Sequence, residues 1–201
     1  MAGLELVSDA GFRADGRRPD ELRKVRARLG VLARADGSAY LEQGNTKVLA
    51  AVYGPHEVSG VLQADGARGL YGILGIFWVL QADGGELGAT VSAAGLALLD
   101  AGVALRGAVV AGSAGLAEPQ AGPPLALSDL SAAEEAAGGP RLVVATVAGG
   151  EQLALCQLSA RLHHDRLGTV LDAARAACHG LRAVLDSVVR ARLRQDTAME
   201  Q

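Results

Sequence analysis

The C-terminal third of the chain carries the pattern that most restricts the fold, because it holds a single apolar stripe of helical period. Between residues 165 and 195, apolar side chains recur at intervals of three and four, which predicts one long amphipathic α-helix. The stripe consists of Leu167, Val170, Leu171, Ala174, Ala177, Cys178, Leu181, Val184, Leu185, Val188, Val189 and Leu193. A helix with one apolar face must bury it against another layer, and a β-sheet is the simplest partner.

Strands for such a sheet are predicted in two groups of near neighbours along the chain. They are expected at residues 22–34, 40–43, 46–53, 109–116, 141–147 and 152–158. Short turns containing glycine separate most of them, which is typical of antiparallel hairpins. A second, Ala-rich helix is expected at residues 88–100, ending near Gly102. The order of strands, helix, strands and helix predicts an α+β fold in which helices cover antiparallel hairpins.

The bulk composition indicates one globular domain or a compact pair of lobes, and it excludes several classes of protein. The chain has 201 residues, half of them hydrophobic and a fifth charged, with a formal net charge of −3. Its two cysteines, Cys156 and Cys178, lack the spacing of metal ligands, so neither a zinc site nor a disulfide is expected. No uncharged apolar run is long enough to span a bilayer, and the first residues do not form a secretory signal. We therefore expect no membrane partner.

Residues 13–34 are rich in arginine, although the chain as a whole is slightly acidic. Such a cluster can form a basic surface for nucleic acid, or it can be an ordinary solvated face, which is the commoner case. Because the chain has no global positive field, the solvated face is the favoured interpretation.

Three acidic residues, Asp129, Glu134 and Glu135, allow two interpretations. Paired carboxylates can bind a divalent metal or transfer protons. Alternatively, Ser131 and Glu134 have the spacing of a capping box, in which the two residues satisfy backbone amides at the start of a helix. The spacing alone favours the capping box.

The turn at Gly84 and Gly85 precedes the Ala-rich helix. Exposed amides and the positive end of the helix dipole can bind a phosphate at such a place. Glu86 argues against this function, since its carboxylate would accept those hydrogen bonds itself and would repel a phosphate.

The hexapeptide VLQADG occurs twice, at residues 61–66 and 79–84. A structural repeat needs a longer unit in several copies, and a loop used twice needs the same surroundings twice. The second copy leads into the Ala-rich helix, whereas the first leads into an apolar stretch that holds half of the chain's aromatic residues. We interpret the duplication as a join that replaced another segment.

Several stretches together resemble the RNase PH-like subunits of the RNA exosome. The motif DGRR at residues 15–18 and the segment GSAYLEQGNTKVLAAVYGP at residues 37–55 carry the resemblance. It continues through VLQADGGELGATVSAAGLALLDAGV, ALSDLSAAEEAAGGP and QLALCQLSARLHHDRLGTVLDAARAA. The resemblance implies an RNase PH-like fold, of the ribosomal protein S5 domain 2-like type, truncated in the middle. It also implies a ring of such subunits around an RNA channel. The expected partners are the other ring subunits, especially a second RNase PH-like subunit, and RNA.

The resemblance also assigns residues to the family's catalytic site. Active relatives cleave RNA from its 3′ end with inorganic phosphate, and their paired metal-binding acids correspond to Asp129 and Glu135, the second being Asp in active enzymes. Their phosphate-binding Thr/Ser-Arg pair corresponds to Glu86 and Leu87. Replacing the arginine of this pair with leucine and its hydroxyl residue with glutamate removes a guanidinium group and adds a carboxylate, which should abolish phosphate binding. We therefore expect no phosphate-binding residue, no metal and no cofactor, with Asp129 and Glu135 as vestiges of the catalytic acids.

The resemblance predicts one domain at residues 1–195, in which residues 58–78 replace a longer family segment, followed by a tail at residues 196–201. Arg17 and Arg18 of the DGRR motif are the candidates for RNA contact. The expected function is that of a non-catalytic subunit of the exosome core ring. It would support 3′-to-5′ RNA processing and decay, including ribosomal RNA maturation, in the nucleus, nucleolus and cytoplasm. Two alternatives stay open, an active phosphate-dependent 3′ exoribonuclease that uses Mg²⁺, and a splice or gene-model variant without function.

Overall fold

The computed structural model describes residues 6–8, 10–57, 71–117, 124–147 and 152–199. Within them the chain forms eight β-strands and three α-helices. The strands are β1 (Val25–Leu29), β2 (Gly37–Gln43), β3 (Thr46–Glu57), β4 (Tyr71–Gln81), β5 (Val109–Ala117), β6 (Leu125–Ser128), β7 (Arg141–Val147) and β8 (Leu153–Ser159). The helices are α1 (Glu86–Asp100), α2 (Ala132–Ala136) and α3 (His164–Met199). The predicted α+β class is confirmed.

The first sheet is antiparallel and has the order β1-β2-β3-β4. Alternate side chains of β2 and β3, among them Leu41, Val48 and Val52, are fully or almost fully buried against α1 and α3. The first strand is much shorter than the predicted residues 22–34. It stops before Gly30, where a φ of +65° interrupts the extended backbone.

The second sheet has the order β6-β5-β7-β8 and is also antiparallel. The N-terminal half of α3 packs on it through Val170, Ala174 and Cys178. Further along the same helix, Leu181 and Leu185 join the core of the first sheet. The sequence pattern suggested one sheet under the helix. The structure has two, because the apolar stripe of a 36-residue helix is long enough to cover part of each.

Helix α1 lies between the two sheets, which explains why it is built from alanine and glycine. Its buried alanines pack with β2, β3 and Val110 of β5. A Cβ atom at Gly95 would lie 2.6 Å from the backbone oxygen of Val109, so only glycine allows this close approach. The helix ends before Gly102, whose φ of +67° is the left-handed conformation expected after a helix C-terminus.

Strand β4 contains the beginning of the second hexapeptide copy and pairs antiparallel with β3, with Trp78 opposite Leu49. Of the predicted junction at residues 58–78, the structure describes residues 71–78, and these belong to the regular strand β4. The first hexapeptide copy lies outside the described residues. Helix α3 continues beyond residue 195 to Met199. No helix in the described part of the chain combines the length and apolar character needed to cross a membrane.

Candidate functional site

The turn between β4 and α1 brings together the residues that the sequence singled out. Gly84 and Gly85 both have positive φ, at +81° and +68°. The amide of Gly84 donates to Glu86 Oε1 at 3.1 Å, and the amide of Gly85 donates to Glu135 Oε1 at 3.0 Å. Two carboxylates of the chain thus accept the hydrogen bonds that a bound anion would need. The prediction that Glu86 satisfies a turn amide is confirmed.

Asp129 follows β6 with a φ of +54°, and only 1% of its surface is exposed. Its Oδ2 accepts hydrogen bonds from the amide of Arg23 at 2.8 Å and from Arg23 Nε at 3.1 Å. Its Oδ1 accepts from Arg23 Nη2 at 2.7 Å. This two-pronged pairing with a guanidinium is the strongest geometry that a carboxylate can find in a protein. Burial acts to lower the pKa of Arg23, but the hydrogen bonds and charge of Asp129 outweigh it and raise the pKa.

Glu135 lies in α2 on the other side of the glycine turn. Its Oε1 holds the amide of Gly85, and its Oε2 is in a short ion pair with Arg141 Nη1. A Cβ atom at Gly85 would lie 3.8 Å from Asp129 Oδ1, so both acids converge on this one residue. The structure therefore brings Asp129, Glu135 and the turn into a single site.

Glu134, the neighbouring acid, points into the protein. Its Oε2 accepts from the backbone amide of Ser131 at 2.8 Å, which confirms the predicted capping role. Both oxygens also accept from Arg13, whose side chain is fully buried. Burial acts to raise the pKa of Glu134, but the hydrogen bonds from Arg13 and Ser131 outweigh it, and the pKa lies below the ordinary 4.5.

The basic segment at residues 13–34 is only partly a solvated face. Arg13, Arg17 and Arg23 are at least nine-tenths buried, so that interpretation is wrong for these three. Arg13 and Arg17 both donate to the backbone oxygen of Asp129, at 2.9 and 3.0 Å, and Arg17 also pairs with Asp15. The preference for arginine over lysine in this segment could have indicated the burial of these side chains, since guanidinium groups are the cations suited to buried ion pairs. Arg18 is exposed.

A cavity of about 460 Å³ opens beside this ion-pair cluster. Its charged lining consists of Asp15, Arg17, Arg23, Lys24, Asp83 and Glu134. Cations and anions are equal in number, so the cavity has no net charge that would select a phosphate.

The site does not fit the magnesium ion that the family's active members use. All four oxygens of Asp129 and Glu135 accept hydrogen bonds from Arg23, Gly85 or Arg141, and the two guanidinium groups would repel a cation. In the described part of the chain, no group of three or more His, Cys, Asp or Glu side chains has the arrangement of a metal site. Leu87, which the resemblance places at the position of a phosphate-binding arginine, is 39% exposed and offers no donor beyond its backbone.

The fold agrees with that of similar proteins. An RNase PH family model, described as "3′ exoribonuclease family, domain 1", matches residues 21–76. Human exosome complex component RRP41 is 43% identical over an alignment of 243 positions, which covers 97% of this chain and 97% of that protein. Because this alignment is longer than the 201-residue chain, the chain lacks several dozen residues that the relative has.

Two solved structures have the same fold. Rice Rrp46 superposes with a TM-score of 0.75 at 23% identity, covering 89% of this chain and all of that one. A subunit of an Archaeoglobus fulgidus exosome with RNA bound to the active site has a TM-score of 0.69 at 19% identity, covering 88% and 93%. The 43% identity to human RRP41 over 97% of both chains means that this chain belongs to the RNase PH family, among its RRP41-type exosome components.

Proposed function

We propose that this protein is a non-catalytic subunit of an exosome core ring, acting in 3′-to-5′ RNA processing and decay, including ribosomal RNA maturation. The observation that carries the proposal is the bonding of the glycine turn. The carboxylates of Glu86 and Glu135 accept the hydrogen bonds of Gly84 and Gly85, where a phosphate co-substrate would have to bind. The proposed locations are the nucleus, the nucleolus and the cytoplasm.

Electrostatics supports the absence of phosphorolysis. A phosphate at the turn would meet two carboxylates and would have to displace both from backbone amides. The nearest guanidinium groups, those of Arg23 and Arg141, are already neutralised by Asp129 and Glu135. These two guanidinium groups are therefore not available to compensate the charge of an incoming phosphate.

Relatives of this chain are named as components of the exosome complex, and one similar structure is an exosome with RNA bound. We extend both properties to this chain as part of the proposal. Its partners would be the other ring subunits, above all a second RNase PH-like subunit, and the RNA that the ring receives. Within the DGRR motif, Arg18 is the better placed RNA contact, because Arg17 is buried in ion pairs.

Two measurements on one sample test the proposal. The chain is co-expressed with an RNase PH-like partner subunit, and the purified complex is incubated with end-labelled RNA, phosphate and Mg²⁺. We expect co-purification of the partner and no phosphate-dependent release of nucleoside diphosphates.

Release of nucleoside diphosphates that disappears in Asp129→Asn would establish the alternative, an active phosphate-dependent exoribonuclease. The convergence of Asp129 and Glu135 on Gly85 is the observation in favour of that alternative. Failure to bind the partner would refute the ring assignment. A chain that shows no cooperative thermal transition, alone or with its partner, would favour a variant without function.

A further inference from the structure

Strand β4 is an edge strand with an unusual composition. In the sheet order β1-β2-β3-β4 it pairs only with β3, so one row of its backbone amides and carbonyls has no strand partner among the described residues. Its 11 residues, YGILGIFWVLQ, include no charged residue and no proline. The opposite edge, β1, is short and carries Arg26 and Arg28, which is how proteins ordinarily protect an edge.

Large apolar side chains of β4 are exposed on both faces of the sheet. On the face toward α1 these are Ile73, Phe77 and Val79, exposed by 45, 42 and 46%. On the other face they are Leu74, Ile76, Trp78 and Leu80, exposed by 59, 36, 41 and 59%. The register of β3 and β4 fixes this division, because Phe77 pairs with the buried Ala50 and Trp78 pairs with the half-buried Leu49 on the other face.

The exposure follows from the width of the helix layer. A helix about 10 Å across covers roughly two strands that are spaced by about 4.8 Å. Here α1 covers β2 and β3, and the C-terminal half of α3 covers β1. The core cluster beneath these helices includes no side chain of β4. Within the described ranges, α1 approaches β4 at far fewer places than it approaches β2 and β3, so most of the fourth strand has no helix above it.

The exposed area is of the size that a stable interface requires. If the 150–250 Å² of an aromatic side chain is taken as an upper figure for all seven residues, their exposed fractions correspond to no more than roughly 500–800 Å², divided between the two faces. Monomeric proteins seldom present an apolar patch above about 300–600 Å², and each partner of a standard interface buries about 800 Å².

We propose that β4 is a self-association surface, on which a second copy of this chain pairs its own β4 in antiparallel fashion. Antiparallel pairing of two identical strands has two-fold symmetry, so the same patch serves both copies and the assembly closes as a dimer. The pairing joins two four-stranded sheets into one continuous sheet. It satisfies the free backbone groups and brings the apolar side chains of the two strands into cross-strand contact on both faces. The proposal is independent of the catalytic status of the chain and of its place in a ring.

Sedimentation velocity on the full chain over a range of concentrations tests the proposal. We expect a monomer-dimer equilibrium, with the larger species at twice the 20.4 kDa chain mass. Leu80→Lys and Leu74→Lys place a charge on the exposed strand and should weaken dimerisation at least tenfold, without altering the circular dichroism spectrum. Leu158→Lys is the matched control, because Leu158 is also an exposed leucine on an edge strand, β8, of the other sheet.

Hydrogen exchange of the amides in β4 provides a second readout. The β4 amides that do not bond to β3 should be protected in the wild-type dimer, and their protection should be lost in Leu80→Lys while that of the β3-bonded amides and of β2 is retained. A chain that stays monomeric at about 100 μM would overturn the proposal. So would open-ended association, or a dimer that Leu158→Lys weakens as much as Leu80→Lys does.

Discussion

Replacing Asp129 with asparagine separates a structural acid from a catalytic one. Asparagine keeps the shape of the side chain but replaces one acceptor oxygen with a donor group and removes the charge. The remaining carbonyl oxygen can still accept from Arg23 at one position, but the amide nitrogen at the other position faces a donor, and a guanidinium with only 7% of its side chain exposed loses its counter-ion. Removing one member of a buried pair costs about 3–5 kcal/mol.

The lower end of that range applies here, because Arg23 keeps its hydrogen bonds to the backbone oxygens of Asp83 and Gly84. We expect a loss of about 3 kcal/mol, a large part of the total stability of an ordinary domain. For a chain of this length, about 2–4 °C of Tm corresponds to 1 kcal/mol, so Tm should fall by about 6–12 °C.

The measurement is a pair of unfolding experiments, by heat and by urea, on wild type and Asp129→Asn. The matched control is Asp186→Asn, which breaks a partly exposed pair with Arg182 within α3 and should cost less than about 0.5 kcal/mol. A metal-binding acid held near other acids would show the reverse, with unchanged or increased stability on neutralisation. If Asp129→Asn costs no more than the control, the structural interpretation of this residue is refuted.

Two further predictions concern the pH dependence of stability and the tight packing of α1. The hydrogen bonds of Arg13 and Ser131 keep the folded pKa of Glu134 below 4.5, so its stabilising effect is complete above that pH and is lost as the pH falls through the folded value. At pH 5, the urea midpoint of Glu134→Gln should therefore be lower than that of wild type, and it should fall less than the wild-type midpoint between pH 5 and about pH 3. Urea midpoints of the two proteins that fall equally over this pH range would contradict the prediction. Gly95→Ala should destabilise the protein by about 1–3 kcal/mol, because the new methyl group meets the Val109 oxygen. A Cβ atom at Gly168 would have no heavy atom within 4 Å, so Gly168→Ala should stabilise helix α3 by about 0.5–1 kcal/mol. If the two substitutions change the thermal unfolding temperature equally, the packing argument is wrong.

Local patterns predicted most of the fold because each element carries its own signal. The spacing of apolar residues gave α3, and glycine turns between alternating stretches gave the hairpins. The division into two sheets was not predictable in the same way, because periodicity shows that a face is buried and does not show against what. The two sheets become distinguishable only from the position of α1, which packs with Val48 of the first sheet and with Val110 of the second.

The candidate site was predictable in its members and less so in their pairing. The capping role of Ser131 and Glu134 depends on residues three apart, and a pattern of that range is visible in sequence. The pairing of Arg23 with Asp129 joins residues 106 positions apart, and that of Arg13 with Glu134 joins residues 121 apart. No local rule links such positions, so the burial of three arginines was missed.

An acid at a position that the resemblance assigns to catalysis is therefore weak evidence of catalysis in this chain. Arg13, Arg17 and Arg23 are buried around Asp129 and Glu134, and the loss of either acid would leave a guanidinium without a counter-ion. Stability alone is thus a sufficient reason for Asp129 to be present. Glu135 carries one methylene more than the aspartate of active relatives, and its carboxylate spans the gap from Arg141 to the amide of Gly85. At this turn the protein supplies its own anion, and the hydrogen bond from the amide of Gly85 to Glu135 holds α2 against the start of α1.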